Sequence, residues 1–546
     1  MVISGLHTNM SERLKALQLV WFKRDLRIRD HAPLCEAAEH GPVLCLYLYE
    51  QELLQARDFS SSHLLFINQS LAELELELKQ RGSCLLIRRG EAVEALQQLW
   101  HECHFQRLWS HAETGNAVTY QRDLRVADWC RSRGITWEER RQDGVVRRLK
   151  TRNGWALRWE ERMSQPLLPA PPLLRSPNHL ISVGILAPAQ LGLESSTQPG
   201  AQPGGEMSAH ETLRSFLNHR GVNYRADMSS PVTGWAGCSR LSPYLAWGCI
   251  SLRTVARAAS CRLEELRSLR EVGDPVDRRW FGSLRSFEAR LRWHCHFMQK
   301  LEDEPRIEFE NFVRAYDGLR ESFTASQEGQ DRLHSWIRGQ TGYPMIDACL
   351  RCVHETGWLN FRMRAMVASF ASYYLGLHWR PTGLWLGRQF LDFEPGIHWS
   401  QFQMQSGTTG INVLRIYSPA KQARDHDPEG LFIRCWVPEL DKVPLTHLPR
   451  PDLMSAQEQQ ESSCRIGRDY PAPLVDPVTA PRESKARITE LRRQVGTRAE
   501  AKRVLLKHGS RKKTSLRKKS GKTVVSPPDP QDFLPGLDSS WHKVTP

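Results

Sequence analysis

From residue 17 to residue 138, short apolar runs alternate with helix-length amphipathic stretches, and few folds accommodate that alternation. Strands are expected at 17–22, 43–49, 84–88, 107–110 and 135–138, with helices at 32–39, 62–80, 91–103 and 118–133 between them. Strand, helix and strand in repeated succession predict an α/β unit: a doubly wound parallel sheet covered on both faces. Ligands of such sheets bind beyond the carboxyl ends of the strands, where strand order reverses. No Gly-x-Gly-x-x-Gly follows any of these strands, so the motif of a nicotinamide site is missing.

At 546 residues the chain exceeds one core. Pro, Gly, Ser and Gln accumulate over 164–206, and helical periodicity takes over from 207. The expected organisation is a leader at 1–16, the α/β domain at 17–163, a linker at 164–206, an all-α domain at 207–445 and an extension at 446–546. One helix is expected in that extension, at 481–494, before a tail whose residues 507–522 hold eight Lys/Arg and no acid. Such a run is a solvated disordered tail or a non-specific DNA arm. A formal charge of +14 favours a polyanionic partner, nucleic acid first and an anionic membrane surface second. Thirteen Cys without disulfide spacing read as reduced thiols of a cytoplasmic protein, nucleoid-associated when DNA-bound if bacterial. Cys349 and Cys352 read as helix packing, because no second pair completes a zinc site. No apolar run reaches the roughly 18–20 residues of a membrane span, and the first ten residues lack a signal-peptide core. A soluble monomer is expected.

The most informative stretch is 336–440, centred on Leu391-Asp392-Phe393-Glu394-Pro395-Gly396-Ile397-His398-Trp399. Two carboxylates and a Pro-Gly break interrupt an otherwise helical pattern. Upstream, 357–370 reads as an amphipathic helix carrying Arg364. A buried arginine needs an anionic partner, and Asp392 is the expected one, either as an ion pair knitting two helices or as part of a site.

These residues carry a resemblance. Trp336 through Asp347, Gly357-Trp358, Arg364, Ala368-Ser369-Phe370, Asp392-Phe393-Glu394, Arg415 through Pro419 and Val437 through Leu440, preceded by Ser239-Arg240-Leu241-Ser242-Pro243, resemble in order the flavin-binding half of the cryptochrome/photolyase family. Lys23 through His31 resembles that family's opening signature.

The resemblance implies FAD in the helical domain. Tyr224 and the segment Cys238, Ser239, Arg240, Leu241 and Ser242 would grip its pyrophosphate, with Cys238 where a threonine is usual. Arg364, Asp392 and Glu394 would meet the flavin ring edge or sugar. His398 would stand at the position facing flavin N5, able to donate or accept a proton. Trp379 matches the middle of the family's tryptophan chain, but the inner position is Phe402 and the distal one falls near Ser326. Trp399, Trp385 or Tyr374 would supply another path. His398, Trp379 and Trp399 are therefore the expected catalytic residues. Trp293, Phe361 and Met404 form either an aromatic wall for an extruded lesion or sealed core, and Arg290 stands where dimer photolyases have a glutamate. His294 and His296 lie about 200° apart on a helix and cannot share a pocket.

The resemblance also implies an antenna chromophore (folate, deazaflavin or flavin) near Glu113 and Asn116, which otherwise read as turn residues. An iron–sulfur cluster is not expected, since only Cys464 lies beyond Leu440. The implied function is blue-light-driven repair of UV-damaged DNA, with a cryptochrome-like photoreceptor as the alternative.

Overall fold

The computed structural model describes residues 16–177, 180–194 and 198–509. The chain first builds a five-stranded parallel sheet from β1 (Gln18–Phe22), β2 (Val43–Glu50), β3 (Leu85–Gly90), β4 (Arg107–Ala112) and β5 (Thr136–Arg141), in the order β3-β2-β1-β4-β5. Each connection runs through a helix: α1 (Ala32–His40), α2 (Ser61–Lys79), α3 (Ala92–Cys103) and α4 (Ala117–Arg133). Every residue of β1 is buried because alternate side chains serve two cores. Val20 and Phe22 pack with Leu34 of α1 and Leu64, Ile67 and Leu71 of α2. Leu19 and Trp21 pack with Leu96 and Leu99 of α3 and Val126 of α4. The expected doubly wound sheet is the observed one.

Strand order reverses between β1 and β4, and the crevice beyond their carboxyl ends is filled from within. The Arg122 guanidinium contacts Glu50 at 2.5 Å, Glu113 at 2.6 Å and Asp123 at 2.9 Å, while Lys23 Nζ reaches Asp123 at 3.3 Å. All five side chains are buried or nearly so. Burial pushes the Glu50 carboxyl up to about 7, with Arg122 opposing the rise.

The second unit is helical. Five of its helices bear on its principal cavity: α5 (Ser242–Ala246), α6 (Arg279–Asp303), α7 (Phe361–Tyr373), α8 (Trp379–Gln389) and α9 (Pro395–Ser406). The sheet face carrying Val20 and Phe22 shares one continuous core with Trp247, Leu284 and Phe287 of this unit. Contact is close enough to require glycine. Gly248 has φ +67°, and a Cβ there would lie 2.1 Å from the Arg24 carbonyl oxygen. Gly396 allows the first turn of α9 to meet the α6 backbone, since a Cβ would fall 2.5 Å from Met298 Cα.

Two sequence expectations change. The helix expected over 357–370 begins at Phe361, because Gly357 adopts φ +68° and closes the preceding helix. Beyond the expected helix, observed as α10 (Thr479–Arg493), the chain forms a further helix, α11 (Val495–His508). It lacks a broad apolar stripe and is held by polar contacts instead. Glu500 accepts the backbone N–H groups of Arg314 and Ala315, and the His508 ring meets Glu304 at 2.6 Å. The expected leader, apart from residue 16, and the basic run from 510 onward lie outside the described residues. No helix among the described residues is long and apolar enough to cross a membrane.

Arg122→Ala would leave three buried carboxylates facing only Lys23 and, 3.9 Å from Asp123, Arg147. Removing one partner of a buried ionic cluster costs about 3–5 kcal/mol, and a loss of that size is expected in urea unfolding of the variant.

Candidate functional site

A cavity of ≈ 370 Å³ opens between α6, α7 and α9. Helical spacing selects its walls. Arg290, Trp293, His294 and Phe297 come from one face of α6. Phe361, Arg364, Ala365 and Ala368 come from α7, and Ile397, His398, Gln401, Phe402 and Gln405 from α9. The loop between α8 and α9 adds Asp392 and Glu394, and Tyr224 with Cys238, Ser239, Arg240 and Ser242 closes the far end.

Arg364 engages all three of its guanidinium nitrogens. Nη1 and Nη2 each donate to Asp392 at 2.8 Å, Nε donates to the Leu359 carbonyl at 2.7 Å, and the plane lies 4.0 Å from the Phe390 ring centre. Burial alone would raise the Asp392 carboxyl, but the Arg364 charge and hydrogen bonds more than offset it and hold it below its usual range. Glu394, two residues on, behaves oppositely. Its ion pair is Arg24 Nη2 at 3.6 Å, and burial pushes its carboxyl up to about 7. Arg24 comes from the α/β domain, donates to the Ala246 and Phe393 carbonyls at 2.8 and 2.6 Å, and lies 4.5 Å above the Trp247 ring.

His398 shares a 2.8 Å hydrogen bond with the Gly383 carbonyl oxygen through Nε2, and burial pushes its imidazole down to about 3. A carbonyl only accepts, so Nε2 carries the hydrogen and Nδ1 is left as an acceptor. Of the expected donor and acceptor roles, this arrangement favours the acceptor one for His398. Sequence proximity to acids does not reveal this, because the determining partner lies 15 residues away on α8.

Buried polar atoms are nearly always hydrogen-bonded, yet several that line this cavity have no partner among the described residues. They belong to Arg240 (Nη1), His294 (Nδ1), Asn360 (Oδ1), Arg362 (Nε), Gln401 (Nε2) and Gln405 (Oε1). Arg240 is held with φ +61° between the Trp235 and Trp358 rings, 4.1 and 4.0 Å from their centres. An unspent cationic donor at Arg240, the Ser239 hydroxyl, an ionised carboxylate at Asp392 that also bonds Ser242, and aromatic walls suit a long ligand with an anionic segment and a flat polar-edged ring. FAD has that composition, and the residues present fit it.

Placement of the remaining expected residues is mixed. Leu241 does not line the cavity; it is 1 % exposed and packs in the core. Met404 is half-buried at the edge of the α9 face that carries Ile397 and Gln401, and is not among the residues that line the cavity. Phe361, at the first position of α7, is 42 % exposed at the rim, and Trp293 is half-buried, so neither is sealed core. Trp379 and Trp399 lie behind the wall, fully buried, with ring centres 5.8 Å apart. Trp399 touches the cavity through the rings of His398 at 4.9 Å and Phe393 at 6.3 Å. Trp385 packs on Trp336, and Tyr374 on Phe370, away from this pair. His294 lines the cavity while His296 packs on Trp155 and Phe297. Arg24, Asn360, Gln401 and Gln405 do not stand out from sequence. Only the i, i+4 spacing of the two glutamines, in register with His398, offers a signal.

At the reversal point between β1 and β4 the remaining space is ≈ 40 Å³. Glu113 is bonded to Arg122, and Asn116 donates to Asp58 and caps α4 by accepting from Thr119 N–H. Asp25, His31 and His111 cluster beside it, but their protons are already placed. Leu34 N–H donates to His31 Nδ1, and His31 Nε2 and His111 Nδ1 meet Asp25 at 3.0 and 2.7 Å. A cation there would have to break both bonds to Asp25 and displace the proton on His31 Nε2.

Comparison with known proteins agrees with the geometry. Residues 18–154 match the family model described as DNA photolyase, and residues 287–490 match the FAD binding domain of DNA photolyase. A cryptochrome DASH of Gloeobacter violaceus is 28 % identical over 496 residues, covering 84 % of this chain and 93 % of that protein. A deoxyribodipyrimidine photo-lyase of Alkalihalophilus pseudofirmus is 27 % identical over 493 residues, covering 84 % and 95 %. In fold, the chain resembles a bacterial class III photolyase from Agrobacterium tumefaciens, with a TM-score of 0.75 and 23 % identity over 89 % of this chain and 100 % of that one. Two matched regions that together span more than half of the sequence, coinciding with the sheet domain and the cavity-bearing helical domain, place the chain in the cryptochrome/DNA photolyase family.

Proposed function

We propose that this protein is an FAD-dependent, blue-light-driven DNA photolyase acting on UV-induced pyrimidine photoproducts. The observation that carries this reading is the unfinished half of the cavity. Beyond the residues suited to FAD, the wall remains open at Phe361 and Trp293 and keeps unpartnered amide atoms at Gln401 and Gln405. Aromatic and apolar surfaces beside spare donors and acceptors are what a base swung out of a duplex requires. Around them Arg290, Arg362 and Arg415 give the cavity lining a cationic character suited to a phosphate backbone.

When bound, FAD supplies the light-driven one-electron chemistry that opens the bond between the damaged bases. The protein's part is positional and electrostatic. Arg240 and Ser239 would hold the anionic segment, and the Arg364–Asp392 pair, with Ser242 on Asp392, would orient the ring. His398, with Nε2 spent on Gly383, would offer its Nδ1 as an acceptor. Trp399 and Trp379 form an aromatic relay from the protein interior to the cavity wall. A second, light-collecting chromophore at the strand-order reversal would have to displace the Lys23, Arg122, Glu113 and Asp123 network, and no step is assigned to one. DNA carrying UV damage is the partner this reading requires.

A photoreceptor role is the second reading. It is favoured by one observation, that Arg290, Phe361 and Met404 stand where dimer photolyases carry the residues that grip their lesion. Repair assays separate the two. The protein with reduced FAD is expected to restore cyclobutane dimers or (6-4) products in illuminated single-stranded or duplex DNA, and no restoration of either would leave the photoreceptor reading. Trp293→Ala is expected to weaken binding of photoproduct-containing DNA by about 1–3 kcal/mol, the worth of one stacked base, while binding of intact DNA at the same ionic strength stays unchanged. Trp399→Phe is expected to slow light-driven reduction of oxidised FAD, followed by absorbance, without lowering FAD content.

Glu394 gives a pH test. Its carboxyl titrates at about 7 in the folded protein against an ordinary 4.5. Between those values the folded state holds the extra proton, so this group makes stability fall as pH rises. Glu394→Gln lacks the titration. In urea unfolding of FAD-depleted protein, its stability relative to wild type is expected to improve from about pH 4.5 to about pH 7 and then level off.

A further inference from the structure

A second cavity, of ≈ 450 Å³, shares no lining residue with the first and lies between the helical unit and the C-terminal extension. Leu319, Arg320 and Phe323 line it from one side, and Ser484, Arg487 and Ile488 from one face of α10. Arg320 is 5 % exposed and has no carboxylate partner for its guanidinium among the described residues. Nε donates to the Ser372 carbonyl at 3.0 Å and Nη1 to the Ser406 carbonyl at 3.1 Å, which leaves Nη2 uncommitted. The neighbouring Glu321 accepts the Arg320 backbone N–H instead. Burial pushes this guanidinium down to about 10, and Arg487 acts in the same direction, against Tyr373 and Glu321. A buried charge without a counter-charge is costly. The acids lining the cavity do not supply one. Glu328 pairs with Arg332, Asp476 accepts the Val478 and Thr479 backbone N–H groups, and Glu483 is exposed and bonds neither Arg320 nor Arg487. Ser484 is 6 % exposed, and its hydroxyl also has no partner among the described residues. Arg320 Nη2 and the Ser484 hydroxyl both retain accessible surface.

We propose that this cavity binds a small organic phosphate of mononucleotide size, and that the ligand fastens the C-terminal extension to the helical unit. Arg320 Nη2, the Ser484 hydroxyl and the exposed Arg487 fork are three donor groups for the three terminal oxygens of a phosphate monoester. Two guanidiniums balance its double charge. Leu319, Phe323 and Ile488 offer apolar surface to a flat ring, and the volume is in the range that small ligands occupy. The donors come from both sides of the cavity, so one bound phosphate ties α10, and through it α11, to the helices beneath.

The test uses the full chain with FAD bound and no free FAD, with AMP as the probe and adenosine as its phosphate-free control. Calorimetric titration is expected to show AMP binding roughly tenfold or more tighter than adenosine, the worth of one hydrogen bond to a charged group. Arg487→Glu, a substitution at an exposed position, and Ser484→Ala are each expected to weaken AMP roughly tenfold while leaving FAD stoichiometry by absorbance unchanged. Amide hydrogen exchange over α10 is expected to slow when AMP binds to wild type. The inference is overturned if AMP does not bind at millimolar concentration, if adenosine binds as tightly, if neither variant weakens AMP, or if exchange slows at α9 and not at α10. Repair of damaged DNA does not enter these measurements, so their failure leaves the photolyase reading standing.

Discussion

The bidentate contact between Arg364 and Asp392 is the constraint on which the site depends. It ties the first turn of α7 to the loop before α9 with two 2.8 Å bonds, and it keeps a buried carboxylate charged where desolvation would otherwise protonate it. Both effects need the third Arg364 bond, from Nε to the Leu359 carbonyl, because a guanidinium partly out of water is tolerated only when its donors are used. Once Asp392 is committed to α7, the chain geometry sends Glu394 elsewhere. Its ion pair is a single arginine at 3.6 Å, and the two acids of one Asp-x-Glu motif end in opposite protonation regimes.

That single arginine makes the two domains one object around the site. Arg24 leaves the end of β1, stacks on Trp247, donates to two carbonyls of the helical unit and approaches Glu394. Glu394 and His294 line both the small crevice at the strand-order reversal and the large cavity. Where an open α/β sheet would present a ligand crevice, this chain places buried arginine, lysine and three acids, and the adjoining helical unit carries the larger opening. The sheet domain thus serves the site mainly as a rigid support and as the source of Arg24.

Much of this was legible in the sequence. The strand and helix alternation placed all five strands within a few residues, since a strand buried on both faces is a continuous apolar run and its flanking helices are strongly patterned. Arg364 and Asp392 were pairable because a charge in an apolar segment demands an opposite charge. Other positions misled. Met404, one candidate for the lesion wall, is half-buried and not among the residues lining the cavity, an outcome that packing against α6 and α7 decides. Leu241 lies inside a matching motif and points into the core. Helix α11 had no visible apolar stripe, and its stabilising contacts lie nearly two hundred residues away at Glu304, Arg314 and Ala315.

By itself, the sequence determined the parallel sheet, the helical second unit, the ion pair and the identity of the groups available for chemistry, because these follow from local periodicity and from the cost of lone buried charge. Only the tertiary structure decided what those groups are able to do. The Gly383 carbonyl makes His398 an acceptor, burial raises Glu394 while Arg364 lowers Asp392, and the packing of α9 leaves buried amide atoms of Gln401 and Gln405 unpaired. Protonation state and hydrogen-bonding capacity depend on the local dielectric and on partners distant in sequence, and neither exists until the chain has folded.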